Sequence, residues 1–150
     1  MGLDKAFFDL WTPRILAVLR IVIGYLMLTH GTAKIFHVPH QPMFDDLQLF
    51  SLIGLAGIIE LVGGILILVG LFTRPAAFIL SGQMAVAYFM AHASKGFALV
   101  PMLNQGELAV VYCFVFLFFA VAGAGAWSID TLKRTPLEQQ RYRHVTGHAD

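Results

Sequence analysis

The chain has 150 residues, of which 58% are hydrophobic and 13% are charged, and its formal net charge is +1. Soluble domains contain about 45–50% apolar residues, and so few charged side chains cannot cover a soluble domain of this size with polar groups. The mean hydropathy of +0.75 therefore excludes an ordinary soluble domain and predicts a protein embedded in lipid. The sequence carries no nucleic-acid-binding signature.

Four apolar stretches predict transmembrane helices at about residues 14–36, 48–72, 75–95 and 106–126. Each is close to the ~20 residues that a helix needs to cross ~30 Å of hydrocarbon. The backbone must satisfy its own hydrogen bonds in lipid, and no stretch has the alternation typical of a barrel strand. The sequence therefore predicts an all-α integral membrane four-helix bundle, residues 1–134, followed by a polar cytoplasmic tail at 135–150.

The first helix is predicted to follow a separate element. Residues 3–11 place apolar side chains at helical spacing, which is typical of a short helix lying in the membrane interface. Thr12 and Pro13 then offer a cap and a proline suited to the first turn of a helix. We therefore expect the transmembrane helix to begin near residue 14.

Lys and Arg residues are distributed unevenly between the two predicted sides of the membrane. The positive-inside rule places the richer side in the cytoplasm, which makes both termini cytoplasmic. The cations on that side are Lys5, Arg14, Arg74, Lys133, Arg134, Arg141 and Arg143. The other side keeps only Lys34 and Lys95. This pattern predicts a multi-pass protein of a bacterial-type inner (cytoplasmic) membrane.

The cysteine and histidine residues of the chain do not form a pattern typical of a redox or metal site. Cys113 is the only cysteine, so the chain cannot form an internal disulfide or a CxxC pair. His37 and His40 lie near two aspartates, but a loop histidine pair without cysteines is more often solvated than metal-bound. We predict no metal site and no covalently bound cofactor.

Glu60 lies near the middle of the second stretch, where a charge costs at least ~2.5 kcal/mol on insertion scales. A rise of 1.5 Å per residue places Arg20 and His30 on opposite sides of the centre of the first helix, with Lys34 one turn further out. We therefore expect Glu60 to lie within hydrogen-bonded or water-bridged reach of Arg20 or Lys34.

The same depth arithmetic predicts a polar cavity in the outer half of the bundle, with Glu60 as its floor and Arg20 beneath. The other polar residues expected around it are His30, Lys34, Tyr88, His92, Glu107 and Tyr112. A structural alternative stays open, in which a buried ion pair only fixes helix register and the histidines form hydrogen bonds between helices.

Several motifs together resemble the DoxX family of small four-helix membrane proteins. They are Arg20 with His30, Gly31 and Lys34, then ELVGG at 60–64, GLFTR at 70–74, Gly106-Glu107, and GAGAWSID at 123–130. The resemblance covers about residues 14–134. It implies a link to quinone, since some members are associated with quinone-linked respiration and others with redox or oxidative-stress complexes.

The first hypothesis is a quinone-interacting membrane subunit of a redox or respiratory complex. Glu60 and His92 would relay protons or contact the quinone, and the other polar residues around the cavity would bind it. Electrons would come from a soluble or membrane partner subunit, and we expect a homo-oligomer or a complex of that kind. The alternatives are a small-solute or proton-linked transporter or channel, and a non-catalytic membrane anchor or assembly subunit.

Overall fold

The computed structural model describes residues 2–133, and the regular secondary structure within that range is all helical. The helices are α1 (Gly2–Phe36), α2 (Leu52–Val69), α3 (Thr73–Ala87), α4 (Glu107–Ala122) and the short α5 (Ile129–Leu132). This confirms the predicted all-α class. The predicted tail at 135–150 and the cations Arg134, Arg141 and Arg143 lie outside the described residues.

The first helix is longer than predicted and absorbs the segment that we expected to be separate. α1 continues from Gly2 through Pro13 without interruption. Proline lacks the N–H that would bond the carbonyl of Asp9 in the preceding turn, yet the helix continues through it. The predicted break at Thr12 was therefore wrong.

The ends of α2 and the start of α3 have identifiable caps. The Ser51 hydroxyl oxygen accepts a 3.1 Å hydrogen bond from the N–H of Gly54 at the start of α2. Gly70 ends α2 in the left-handed conformation, with φ of +68°. The carboxylate of Asp130 accepts hydrogen bonds of 2.8 Å from the N–H groups of Phe72 and Thr73. A residue from beyond α4 thus caps the positive end of α3.

Three helical segments are long and apolar enough to cross a membrane, at residues 4–36, 52–69 and 73–95. The third continues from α3 through a π-turn at Tyr88–His92 and a 3₁₀ turn at Ala93–Lys95. α4 is apolar but has only 16 residues, or about 24 Å of helix. Together these helices form a multi-pass membrane bundle.

The bundle has two distinct ends. α1 packs against α2, α2 against α3, and α3 against α4. The α2–α3 turn and residues 123–133 meet at one end, which we call the turn end. The connections at residues 37–51 and 96–106 form the opposite end, which we call the loop end. Buried apolar side chains from all four helices form one core between them.

Glycines bring α1 and α2 into backbone contact. A Cβ atom added at Gly24 would lie 2.6 Å from the backbone nitrogen of Leu68, and one at Gly64 would lie 2.7 Å from that of Leu28. No side chain fits at either position without moving the helices apart. Small residues at a helix interface permit this close approach in membranes, and they fix the register of α1 against α2.

The glycine contact predicts opposite effects for two alanine substitutions. Gly24→Ala should destabilise the protein by about 1–3 kcal/mol, as expected for overpacking. Gly82→Ala should stabilise it by about 0.5–1 kcal/mol, because alanine is the better helix former, and no atom lies within 4 Å of the added Cβ. The free energy of unfolding in detergent, measured by titration with sodium dodecyl sulfate, checks both. Equal effects would contradict close packing at Gly24.

Candidate functional site

A buried ion pair joins α1 and α2. The ammonium Nζ of Lys34 lies 2.6 Å from Oε1 and 2.5 Å from Oε2 of Glu60. Glu60 is 2% exposed and Lys34 is 13% exposed. Helical side chains lean toward the N-terminus of their helix, and the two helices are antiparallel, so these side chains lean toward each other. The predicted contact of Glu60 with a cation of the first helix is confirmed.

Two further residues complete the surroundings of the pair. The amide Nε2 of Gln83 donates a 2.9 Å hydrogen bond to Oε1 of Glu60. The Phe44 ring lies over the Lys34 ammonium, 5.8 Å from its centroid, which is a cation–π geometry. Sequence reasoning missed both. Gln83 was detectable as a polar residue in an apolar helix, whereas Phe44 in a loop gave no signal.

The other amide atom of Gln83 is unsatisfied. Its Oε1 is buried and has no hydrogen-bond partner among the described residues. A buried carbonyl oxygen without a donor costs free energy. Gln83 therefore holds Glu60 on one side and leaves an acceptor available beside it.

A cavity of about 260 Å³ lies beside the ion pair. Its polar lining comes from His30, Lys34, Glu60, His92, Gln105 and Tyr112. Its apolar lining comes from Met27, Met84, Ala87, Leu108 and Ala109. The rings of His30 and Tyr112 meet edge to face, with centroids 6.1 Å apart. The structure thus brings together five of the residues that the sequence placed around one cavity.

Tyr88 and Glu107 do not line this cavity. Tyr88 is buried, and its hydroxyl donates a 2.6 Å hydrogen bond to the carbonyl of Ala98 and accepts one of 3.2 Å from Asn104. Nδ1 of His92 lies 3.2 Å from the carbonyl oxygen of Asn104. These contacts fasten residues 96–106 over the loop end. Glu107 is exposed at the first turn of α4, because its side chain points away from the cavity.

Arg20 lies at the turn end, on the side of Glu60 that the sequence predicted, but it does not line the cavity. Its side chain is fully buried, and its guanidinium donates four hydrogen bonds to backbone carbonyls. They run to Ile67 and Leu68 at 2.6 Å and to Ala124 and Trp127 at 2.8 Å. Arg20 thereby caps carbonyls in the last turn of α2, where the helix cannot supply its usual i+4 donors. Arg20 therefore lies below the cavity, but its predicted role as a ligand-binding residue was wrong, because backbone carbonyls take all the hydrogen bonds of its guanidinium.

Most residues of the DoxX-like motifs that do not line the cavity lie at the turn end. Gly70 has no room for a side chain, since a Cβ atom there would lie 2.9 Å from the guanidinium carbon of Arg20. The N–H of Asp130 donates 2.8 Å to the carbonyl of Gly70. Arg74 donates 2.6 Å to the carbonyl of Val121, near the end of α4. These contacts serve the fold.

The loop histidines form a separate contact. Nε2 of His40 lies 2.8 Å from Oδ1 of Asp45, with both side chains exposed. Within residues 2–133, no group of three or more His, Cys, Asp or Glu side chains is arranged to hold a metal ion. His37 is exposed in the same loop.

The ion pair predicts strong coupling between its members. Lys34→Met should cost about 3–5 kcal/mol of unfolding free energy, because it leaves the Glu60 carboxylate buried without its cation. The double variant Lys34→Met/Glu60→Gln should recover most of that loss. Titration with sodium dodecyl sulfate measures both, with the exposed Lys95→Met as control. Additive losses in the double variant would contradict the coupling.

Arg20 should behave as a structural residue. Arg20→Lys keeps the charge but cannot reach four carbonyls, so it should cost at least about 3 kcal/mol. Arg74→Lys, at an exposed guanidinium, should cost under about 1 kcal/mol. The same denaturant titration compares them. Equal small losses would show that the Arg20 network contributes little to stability.

Comparison with known proteins agrees with the resemblance seen in the sequence. The DoxX family model matches residues 15–93, which is more than half of the chain and includes Lys34, Glu60, Gln83 and His92. An uncharacterized protein of Haemophilus influenzae is 46% identical over 127 residues, covering 80% of this chain and 91% of the relative. No solved structure matches the chain. The chain belongs to the DoxX family.

Proposed function

We propose that this protein is a quinone-binding membrane subunit that works with a separate redox partner. The observation that carries the proposal is the desolvated Lys34–Glu60 pair beside a cavity lined by two histidines and a tyrosine. Ionisable residues inside a membrane mark proton or substrate pathways more often than not.

The lining of the cavity suits a quinone headgroup, which is a flat apolar ring with two carbonyl oxygens. Met27, Met84 and Ala109 supply apolar walls, and Tyr112 offers a hydroxyl donor. Binding sites for drug-sized ligands measure about 300–1,000 Å³, so a cavity of about 260 Å³ fits one small ring better than a large cofactor.

Quinone supplies two-electron chemistry that is coupled to the uptake or release of two protons. In this proposal Glu60 exchanges a proton at the cavity, and the Lys34 ammonium, which donates hydrogen bonds to both of its oxygens, holds the carboxylate in place. His30 and His92 donate or accept hydrogen bonds at the ring oxygens. Cys113 is the single cysteine, so a cysteine pair cannot carry electrons, and a partner subunit delivers or removes them.

The location proposed for this function is a bacterial cytoplasmic membrane. Arg14, Arg74 and Lys133 belong to the turn end, and Lys95 belongs to the loop end. The positive-inside rule then orients the turn end to the cytoplasm. The cavity consequently lies in the outer half of the bilayer, and the relative from Haemophilus influenzae is bacterial.

One observation favours a second candidate, a non-catalytic anchor or assembly subunit. The Lys34 ammonium contacts both oxygens of Glu60, and Gln83 adds a third bond. A pair satisfied in this way is also what a purely structural link between helices needs. Under this reading, the conservative variant Glu60→Gln leaves every activity of the complex unchanged.

Organic extraction of the protein purified in mild detergent tests the proposal. We expect about one quinone per binding site and a loss of about tenfold in affinity in Glu60→Gln, His92→Ala and Tyr112→Phe. Matched controls at exposed positions are Glu107→Gln, His37→Ala and Tyr25→Phe, which should retain the wild-type content. Wild-type protein that carries no quinone, and takes up none when quinone is added, would refute the proposal.

A further inference from the structure

The cavity opens to the exterior on one side, and we call this opening its mouth. Among its lining residues, Met27, Glu60 and Tyr112 are buried, whereas His30 and Leu108 are exposed. Gln105, just before α4, is exposed as well. The exposed lining residues therefore come from α1 and from the beginning of α4, and the opening lies between those two helices.

Residues of the two loop-end connections cover the cavity on the side that faces the loop end. Phe44 is 9% exposed and packs over the ammonium of Lys34. The connection at residues 96–106 is held down by Tyr88 and Asn104. An entry route from the aqueous phase along the bundle axis would have to displace these contacts, so the side of the bundle offers the direct route.

At the turn end, hydrogen bonds join α1 to the segment that follows α4. There, the N–H of Ala126 donates a 2.9 Å hydrogen bond to the carbonyl of Pro13, and Arg20 binds the carbonyl of Ala124. Within residues 2–133, α1 packs along α2 and α4 packs along α3, but α1 and α4 are not packed along each other. In the half that contains the cavity, the edge-to-face contact of His30 with Tyr112 crosses the seam between α1 and α4, and the cavity opens beside that contact, where His30 and Leu108 are exposed.

Both edges of the seam are apolar. Leu26, one turn from His30 on α1, is 39% exposed, and Val111, one turn from Leu108 on α4, is 53% exposed. These helices lie within the bilayer, so the surface that their outward faces meet is lipid. The cavity is thus polar inside and apolar at its mouth.

From this arrangement we infer that the cavity opens sideways into the bilayer, and that its ligand is an amphiphile with a long apolar tail. The ring occupies the cavity, and the tail lies in the α1–α4 seam against Leu26, Leu108 and Val111. The inference rests on the proposed function, since it adds the tail and the route of entry to a quinone headgroup. A ligand dissolved in the membrane reaches the site without crossing the loop end.

Two ligands and one substitution test the inference. The ligands are a benzoquinone without an isoprenoid tail and the same ring with a long isoprenoid tail. Leu108→Trp fills the mouth while leaving Glu60, His92 and Tyr112 in place. We expect it to weaken equilibrium binding of the tailed quinone by about tenfold or more and to leave that of the tail-less quinone within about twofold. Leu117→Trp, an exposed position on α4 outside the cavity, is the matched control.

The outcomes separate the inference from the proposed function. If wild-type protein binds neither ligand, the quinone proposal itself fails. If wild-type binds both ligands and Leu108→Trp binds the tailed quinone as tightly as Leu117→Trp does, the lateral mouth is wrong. Should Leu108→Trp fail to fold, the smaller Leu108→Phe is measured with the same two ligands. A seam covered by a second copy of the chain would give wild-type protein the same affinity for both quinones, which also overturns the inference.

Discussion

The Lys34–Glu60 ion pair is the interaction on which the loop half of the bundle depends. A carboxylate in hydrocarbon is tolerated only with a partner at hydrogen-bond distance, and the partner here comes from a different helix. The pair therefore requires α1 and α2 to keep one register. Glycine contacts at Gly24 and Gly64 provide that register by bringing the two backbones together. The other residues that line the cavity lie around this ion pair.

The two buried cations of α1 are used in opposite ways. Arg20 donates all its hydrogen bonds to carbonyl oxygens of the backbone, so its planar fork acts as a clamp between α2 and the segment after α4. Lys34 faces the carboxylate of Glu60 beside the cavity. The cation at the turn end therefore joins backbone segments, and the cation at the loop end joins two side chains that line open volume.

The sequence predicted those parts of the site that depend on the depth of a residue in the membrane. It failed where the rotation of a helix about its axis, or a hydrogen bond to the backbone, determines what a side chain contacts. Helix depth placed Glu60 within reach of a cation of the first helix, but it left Arg20 and Lys34 both open as the partner. Arg20 shares a face with Lys34, but its partners are carbonyl oxygens, which leave no trace in the sequence. Tyr88 and Glu107 lie at suitable depths, yet their helices turn them toward a loop and toward the exterior.

The partners of Arg20 are synthesised long after Arg20 itself. Trp127 follows it by 107 residues and Ala124 by 104. At translation rates of about 5–20 residues per second, roughly 5–20 seconds separate the two ends of this clamp. During that interval α1 enters the membrane with a guanidinium that has no carbonyl partner from the end of the chain, and it depends on water, headgroups or the insertion machinery. A nascent chain that stalls before residue 124 can offer Arg20 only the carbonyls of Ile67 and Leu68, and a cation that lacks half of its partners in lipid is a feature by which membrane quality control can recognise an unfinished molecule.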